Sequence, residues 1–127
     1  MNPPAVEDRG FHLFAHGLLR DADSERAPLM VGARRVAEAT VAGTLYDIDG
    51  DFPALMLYGT TPVEGTVWHF PNAARLEQLD SYEGVERGLY RRVAVEAGGL
   101  PCWVYVAGPA LARQLTPERR LAHGVWR

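Results

Sequence analysis

The chain has 127 residues, 47% of them hydrophobic, and a formal net charge of −3. That length predicts one domain with a real core, and the balance excludes both a disordered polar chain and the basic excess of a nucleic-acid binder. All 13 basic residues are arginine, which excludes Schiff-base, P-loop-lysine and lysine general-base chemistry from the chain itself.

Residues 1–10 are polar and proline-bearing, a loose lead-in to the single domain expected over 1–127. FHLFAH reads as a short strand, with Gly17 marking the turn after it. From Asp21 to Pro28 the chain is charged and reads as a solvated loop. RVAEATVAGTLYDI is rich in β-branched residues and predicts one or two strands, followed by a turn at DIDGDFP. The aspartates of that turn look like the opening of a calcium loop, but the glutamate and flanking helices of an EF-hand are missing, so an acidic turn is expected. ALMLYG and VEGTVWHF predict two further strands, the second alternating as a half-buried strand should. NAARLEQL predicts a helix entered through Pro71 and capped by Asn72. LYRRVAVEA and CWVYVAG, joined through Gly98 and Gly99, read as a hairpin. TPERRLAHGVW begins as a capped helical turn and is expected to finish by docking Trp126. The sum is a mixed α+β fold, a small barrel-like mixed sheet with flanking helices, since regular βαβα alternation is absent.

One residue breaks the helix pattern. With Leu76 at ~0°, Leu79 falls near ~300° and Glu83 near ~340°, so a carboxylate points with the apolar stripe. It also stands close to the helix C-terminus, where the partial negative charge opposes it. Either the helix ends before Glu83, or Arg91 or Arg92 pairs with it as a structural ion pair, or it lines a partly dry pocket as a proton shuttle. Asp80 lies near ~40° on the same count and reads as a structural acid bonded to backbone or to an arginine, with a carboxylate dyad as the other option.

Other constellations are weaker. His12 and His16 have a helical ligand spacing but sit in a strand, with no third ligand placed to join them, so no metal site is expected. His69 and His123 read as surface or packing residues. Cys102 follows a proline into an aromatic strand and reads as a buried, inert thiol rather than a nucleophile. A lone cysteine and the absence of an apolar leader in MNPPAVEDRG predict a cytoplasmic protein. No apolar run approaches the roughly 20 residues of a membrane span. The tryptophans and tyrosines read as packing. No nucleophile elbow, P-loop or dinucleotide fingerprint occurs.

From about Leu13 to the C-terminus the chain resembles the γ-glutamylcyclotransferase-like family, which includes the AIG2-like proteins. FAHGLLR resembles the family's FVYGTLR strand and turn, and LYDIDGDFPAL its L-Y-D-x-G-x-Y-P-A segment. VEGTVW resembles V-x-G-E-V-Y, LEQLDSYEG with LYRR resembles L-x-x-L-D-x-Y-E-G and Y-x-R, and LAHGVW is similar to the closing I-x-x-G-x-W. The resemblance implies a small mixed barrel with flanking helices, Glu83 as catalytic acid/base, and a loop of His16, Gly17, Leu18 and Leu19 that holds a γ-glutamyl head. It implies a small-molecule γ-glutamyl substrate that closes on itself to 5-oxoproline with release of an amine, with no cofactor and no metal. Intramolecular attack requires no covalent nucleophile, consistent with the missing triad. His16 stands in place of the family's tyrosine, Leu18 in place of its serine or threonine, and Thr66 in place of an acidic residue. A non-catalytic binding module that keeps the pocket is the alternative. No nucleic-acid or membrane partner is expected, and homodimer formation is left open.

Overall fold

The computed structural model describes residues 11–16 and 30–126. Five strands form one mixed sheet: β1 (His12–Ala15), β2 (Arg34–Ile48), β3 (Phe52–His69), β4 (Tyr90–Ala97) and β5 (Leu100–Ala107), in the spatial order β2-β3-β1-β5-β4. β1 is central, antiparallel to β3 and parallel to β5, while the β2–β3 and β4–β5 pairs are antiparallel hairpins. A helix, α1 (Ala73–Tyr82), follows β3, and a single turn, α2 (Pro109–Ala112), follows β5.

The two stretches expected to be separate strands after the acidic turn are one strand of 18 residues. Thr44 pairs with Met56 whereas Gly43 pairs with Thr61, so Leu57–Thr60 bulge out of the ladder. An exposed bulge interrupts the apolar pattern without ending the strand, which is why the sequence reads as two pieces. The Thr44 hydroxyl closes the irregularity by donating to the Tyr58 carbonyl at 2.7 Å. RVAEATVAGTLYDI is likewise continuous, forming nearly all of β2. At the other hairpin, Ala97 pairs with Leu100 across Gly98 and Gly99, both at positive φ, the backbone that a two-residue turn demands.

The sheet curls but does not close. A methyl group built on Gly98 would lie 3.4 Å from the Ala39 side chain, so the β4–β5 turn approaches β2, yet β2 and β4 remain the edges. Inside the curl sits an aliphatic core of Phe14, Leu45, Leu55, Val63, Val67, Val104 and their neighbours. The opposite face of β1, β3 and β5 carries Leu13, Ala15, Trp68 and Tyr105, covered by Leu76 and Leu79 of α1. Strand alternation on β1 divides the two cores, with Phe14 on one side and Leu13 and Ala15 on the other.

The acidic turn is a structural joint. Asp47 accepts from the Gly50 amide at 3.2 Å and from the Trp126 indole at 2.7 Å, and Asp49 pairs with Arg119 at 3.2 Å. The tail runs along the same hairpin, with Leu121 donating to the Leu45 carbonyl and Gly124 accepting from Glu64, each at 2.8 Å. Trp126 docks as its sequence position predicted. Among the described residues no helix is long and apolar enough to cross a membrane.

Candidate functional site

α1 begins where expected, with the Asn72 side chain accepting from the Arg75 amide at 3.1 Å. It ends at Tyr82, just before Glu83, which is its C-cap and whose amide donates to the Leu79 carbonyl at 2.8 Å. Gly84 then takes φ 69°, and its amide bonds the Ser81 carbonyl at 3.2 Å. This is the left-handed exit by which a glycine stops a helix, and it fixes Glu83 as the last residue in helical geometry. The angular count therefore holds to the end: Leu76 and Leu79 are buried, and Glu83 is half-buried beyond them.

The charge of Glu83 acts on two phenols of the β4–β5 hairpin. Tyr105 is pushed above its ordinary range chiefly by burial, then by the hydrogen bond and charge of Asp80, with Glu83 adding to the rise and Arg92 opposing it. Tyr90 is raised by burial first and then by the charge of Glu83 and by Tyr82. Its hydroxyl donates to the Pro53 carbonyl at 2.8 Å, which fastens β4 to the start of β3.

Asp80 is the structural acid the sequence suggested. Arg92 grips it through Nε at 2.8 Å and Nη2 at 3.1 Å, and the Tyr105 hydroxyl donates to Oδ1 at 2.7 Å. The Arg92 guanidinium also lies over the Trp103 ring, 4.8 Å from its centroid. Of the two arginines considered as partners for Glu83, Arg92 is thus engaged with Asp80.

Tyr105 also reaches the other expected component. His16, at the end of β1, places Nε2 3.2 Å from the Tyr105 carbonyl. A carbonyl only accepts, so Nε2 carries the proton, and Nδ1 is left as a buried acceptor with no partner among the described residues. Burial lowers the His16 pKa from its ordinary value, the bond to the Tyr105 carbonyl opposing the shift, so the ring is neutral at physiological pH. Gly17, Leu18 and Leu19, the rest of the expected cradle, lie outside the described residues. Thr66 pairs with Ala15 at the same end of β1 and donates to Glu38 at 3.0 Å, so a carboxylate from β2 stands beside the position where the family carries an acid.

The sequence reading took Tyr90 and Tyr105 as packing and missed their place at the site. A signal existed: the Gly98–Gly99 turn fixes the hairpin register, which sets Arg92 opposite Tyr105. His12 and His69 face each other across β1 and β3 with ring centroids 5.0 Å apart, and no group of three or more metal-ligating side chains occurs among the described residues.

Known folds place this arrangement. A uropathogenic E. coli-specific protein shares 21% identity at TM-score 0.73, covering 92% of this chain and 92% of that one. A gamma-glutamyl cyclotransferase shares 19% at TM-score 0.61, covering 77% of this chain and 66% of that one. An AIG2-like protein from Mus musculus shares 20% at TM-score 0.61, covering 87% and 82%. At such identities the likeness is one of fold. No curated protein is a significant match. The family assignment comes from the sequence itself: residues 13–127 match the family described as Gamma-glutamyl cyclotransferase, AIG2-like, and the chain belongs to that family.

Proposed function

We propose that the protein converts a γ-glutamyl amine or γ-glutamyl amino acid into 5-oxoproline and a free amine, with Glu83 as general acid/base. The observation that supports this most is a carboxylate on the core stripe of a helix, half-buried and close enough to Tyr90 and Tyr105 to raise both phenols. A partly buried acid at a helix C-terminus is costly, and such costly groups cluster at functional sites.

In the proposed reaction the substrate's α-amino nitrogen attacks its own γ-carbonyl carbon, and the bond from that carbon to the leaving nitrogen breaks. The ammonium gives up two protons on its way to the lactam N–H: Glu83 takes one and delivers it to the departing nitrogen, and the other passes to solvent and is balanced when the released amine protonates, so no net proton is consumed. The loop from His16 to Leu19 holds the head group in its folded conformer, which supplies the main advantage of an intramolecular step. The small molecule is the only partner the reaction requires. We place it in the cytoplasm on the strength of the lone, buried Cys102.

The test is 5-oxoproline release from a panel of γ-glutamyl amides and dipeptides by the wild-type chain and by Glu83→Gln. Product from the wild type and none from the variant supports the reading; equal rates from both overturn it. A binding module without turnover is the second reading, favoured by the engagement of His16 Nε2 with the Tyr105 carbonyl at a position where the family carries a tyrosine. Ligand-induced thermal stabilisation with no product would select it.

A further inference from the structure

Among the described residues two buried side-chain polar atoms have no hydrogen-bond partner, the Trp68 indole N–H and the His16 Nδ1. The indole lies in the packed layer under α1, with Leu13, Phe70 and Leu76. His16 stands elsewhere, just past the end of β1 and against β5, and it is the described member of the loop expected to hold a γ-glutamyl head.

The ring is not free to turn its lone pair toward another partner. Nε2 donates to the Tyr105 carbonyl at 3.2 Å, and that bond fixes both the tautomer and the ring orientation, leaving Nδ1 able only to accept. Burial keeps the imidazole neutral, so the acceptor persists. With the residue 8% exposed, bulk water does not satisfy it, and the neighbouring Phe14 ring, 6.3 Å away between centroids, has no donor to give. A buried acceptor with no donor in the protein is costly, and the cost is lifted when a bound molecule brings the donor.

We propose that His16 is a specificity-determining residue whose Nδ1 accepts a hydrogen bond from the α-nitrogen of a γ-glutamyl head group. This rests on the proposed function and deepens it by naming the atom of the head that the imidazole reads. The head carries an α-carboxylate and a γ-carbonyl, which only accept, and one nitrogen, which donates; an acceptor can pair only with the last. That nitrogen bears hydrogen both as the substrate's amino group and as the ring N–H of 5-oxoproline, so the bond can hold it from substrate to product. A phenol, which the family carries at this position, both donates and accepts, whereas an imidazole tied to Tyr105 through Nε2 only accepts. The histidine therefore narrows what the position tolerates to a head with a donor nitrogen.

The experiment measures, by calorimetry on the full chain, the affinities of 5-oxoproline and of its lactone isostere 5-oxotetrahydrofuran-2-carboxylate, in which a ring oxygen replaces the N–H. The wild type is expected to bind the lactam at least about tenfold more tightly, because the lactone sets two acceptors against each other. His16→Gln can keep a donor to the Tyr105 carbonyl but has no acceptor at the Nδ1 position, and should bring the ratio below about twofold. His16→Asn loses the Tyr105 bond but puts a carbonyl oxygen near the Nδ1 position, and should restore most of the ratio. A purely structural role predicts the reverse order, with Gln behaving as wild type and Asn not, and that result overturns the proposal. Equal affinities of the wild type for lactam and lactone, as when an ordered water satisfies Nδ1, also overturn it, as does a wild type that does not bind 5-oxoproline. If a variant fails to fold, nitrogen NMR of the wild-type imidazole decides: the Nδ1 resonance must move on adding the lactam and stay on adding the lactone. Turnover with equal affinities would sink the His16 role and leave the reaction standing; a His16-dependent lactam preference without turnover would do the opposite.

Discussion

The two faces of the central strands are built from different chemistry. Inside the curl the sheet buries Leu55, Val63, Val67 and Val104 completely, and the cluster they form contains no titratable group but the inert Cys102. On the helix-covered face, burial is shared among Leu13, Trp68, Tyr105 and α1, and that is where Asp80, Glu83, Arg92 and two phenols gather. The contrast follows from what each face must exclude. An aliphatic interior is stabilised by shape and area alone, whereas a face roofed by one short helix has a rim where polar groups are half-desolvated and can be tuned. Stability and chemistry therefore divide across a single sheet, and substitutions on the two faces should differ in kind.

The sharpest break comes from Glu83→Gln. It is expected to reduce 5-oxoproline formation by about a hundredfold to ten-thousandfold while thermal unfolding shifts little, measured by product assay and calorimetry. Its counterpart on the other face is Leu55→Ala, at a fully buried position, which should cost about 2–5 kcal/mol in urea unfolding and leave the per-molecule rate of the folded fraction unchanged. Tyr105→Phe tests whether stability and chemistry can be separated within the helix-covered face. Loss of the 2.7 Å bond to Asp80 should cost about 1–3 kcal/mol by denaturation and, unlike Leu55→Ala, should also alter the pH profile of turnover.

A smaller effect is pH-dependent. Burial lowers the His16 pKa below its ordinary 6.5, so the unfolded chain binds that proton more readily than the folded one. The stability tied to the neutral ring is present above the ordinary value and drains as pH falls below it toward the folded-state value. His16→Gln should flatten the slope of the urea midpoint below about pH 6.5; an unchanged slope would place the acid sensitivity elsewhere. The smallest effect belongs to the tail. Trp126→Phe keeps the ring but loses the 2.7 Å bond to Asp47, which should cost about 1 kcal/mol with turnover untouched.

Much of this was legible in advance because it is local. Asn72 as cap, Leu76 and Leu79 as the buried stripe, Glu83 on that stripe, the Gly98–Gly99 turn and the docked Trp126 each follow from spacing or from one residue's backbone demands. β3 was split in two because a bulge at Leu57–Thr60 interrupts the pattern, and a periodicity cannot report that the ladder resumes beyond it. An aromatic in a strand usually packs, so the pattern gives Tyr90 and Tyr105 no other role, and only the hairpin register and the seat of α1 bring the Tyr105 hydroxyl to Asp80.

What the sequence by itself determined was the mixed class, the position of one helix and the presence of an acid where a leucine belonged. Those properties are set within a turn of helix or a pair of strands. Only tertiary structure decided which partners Asp80 would take, since Arg92 and Tyr105 lie 12 and 25 residues from it along the chain. A carboxylate's proton affinity depends on the charges and donors that surround it in space, and periodicity along a chain carries no record of them.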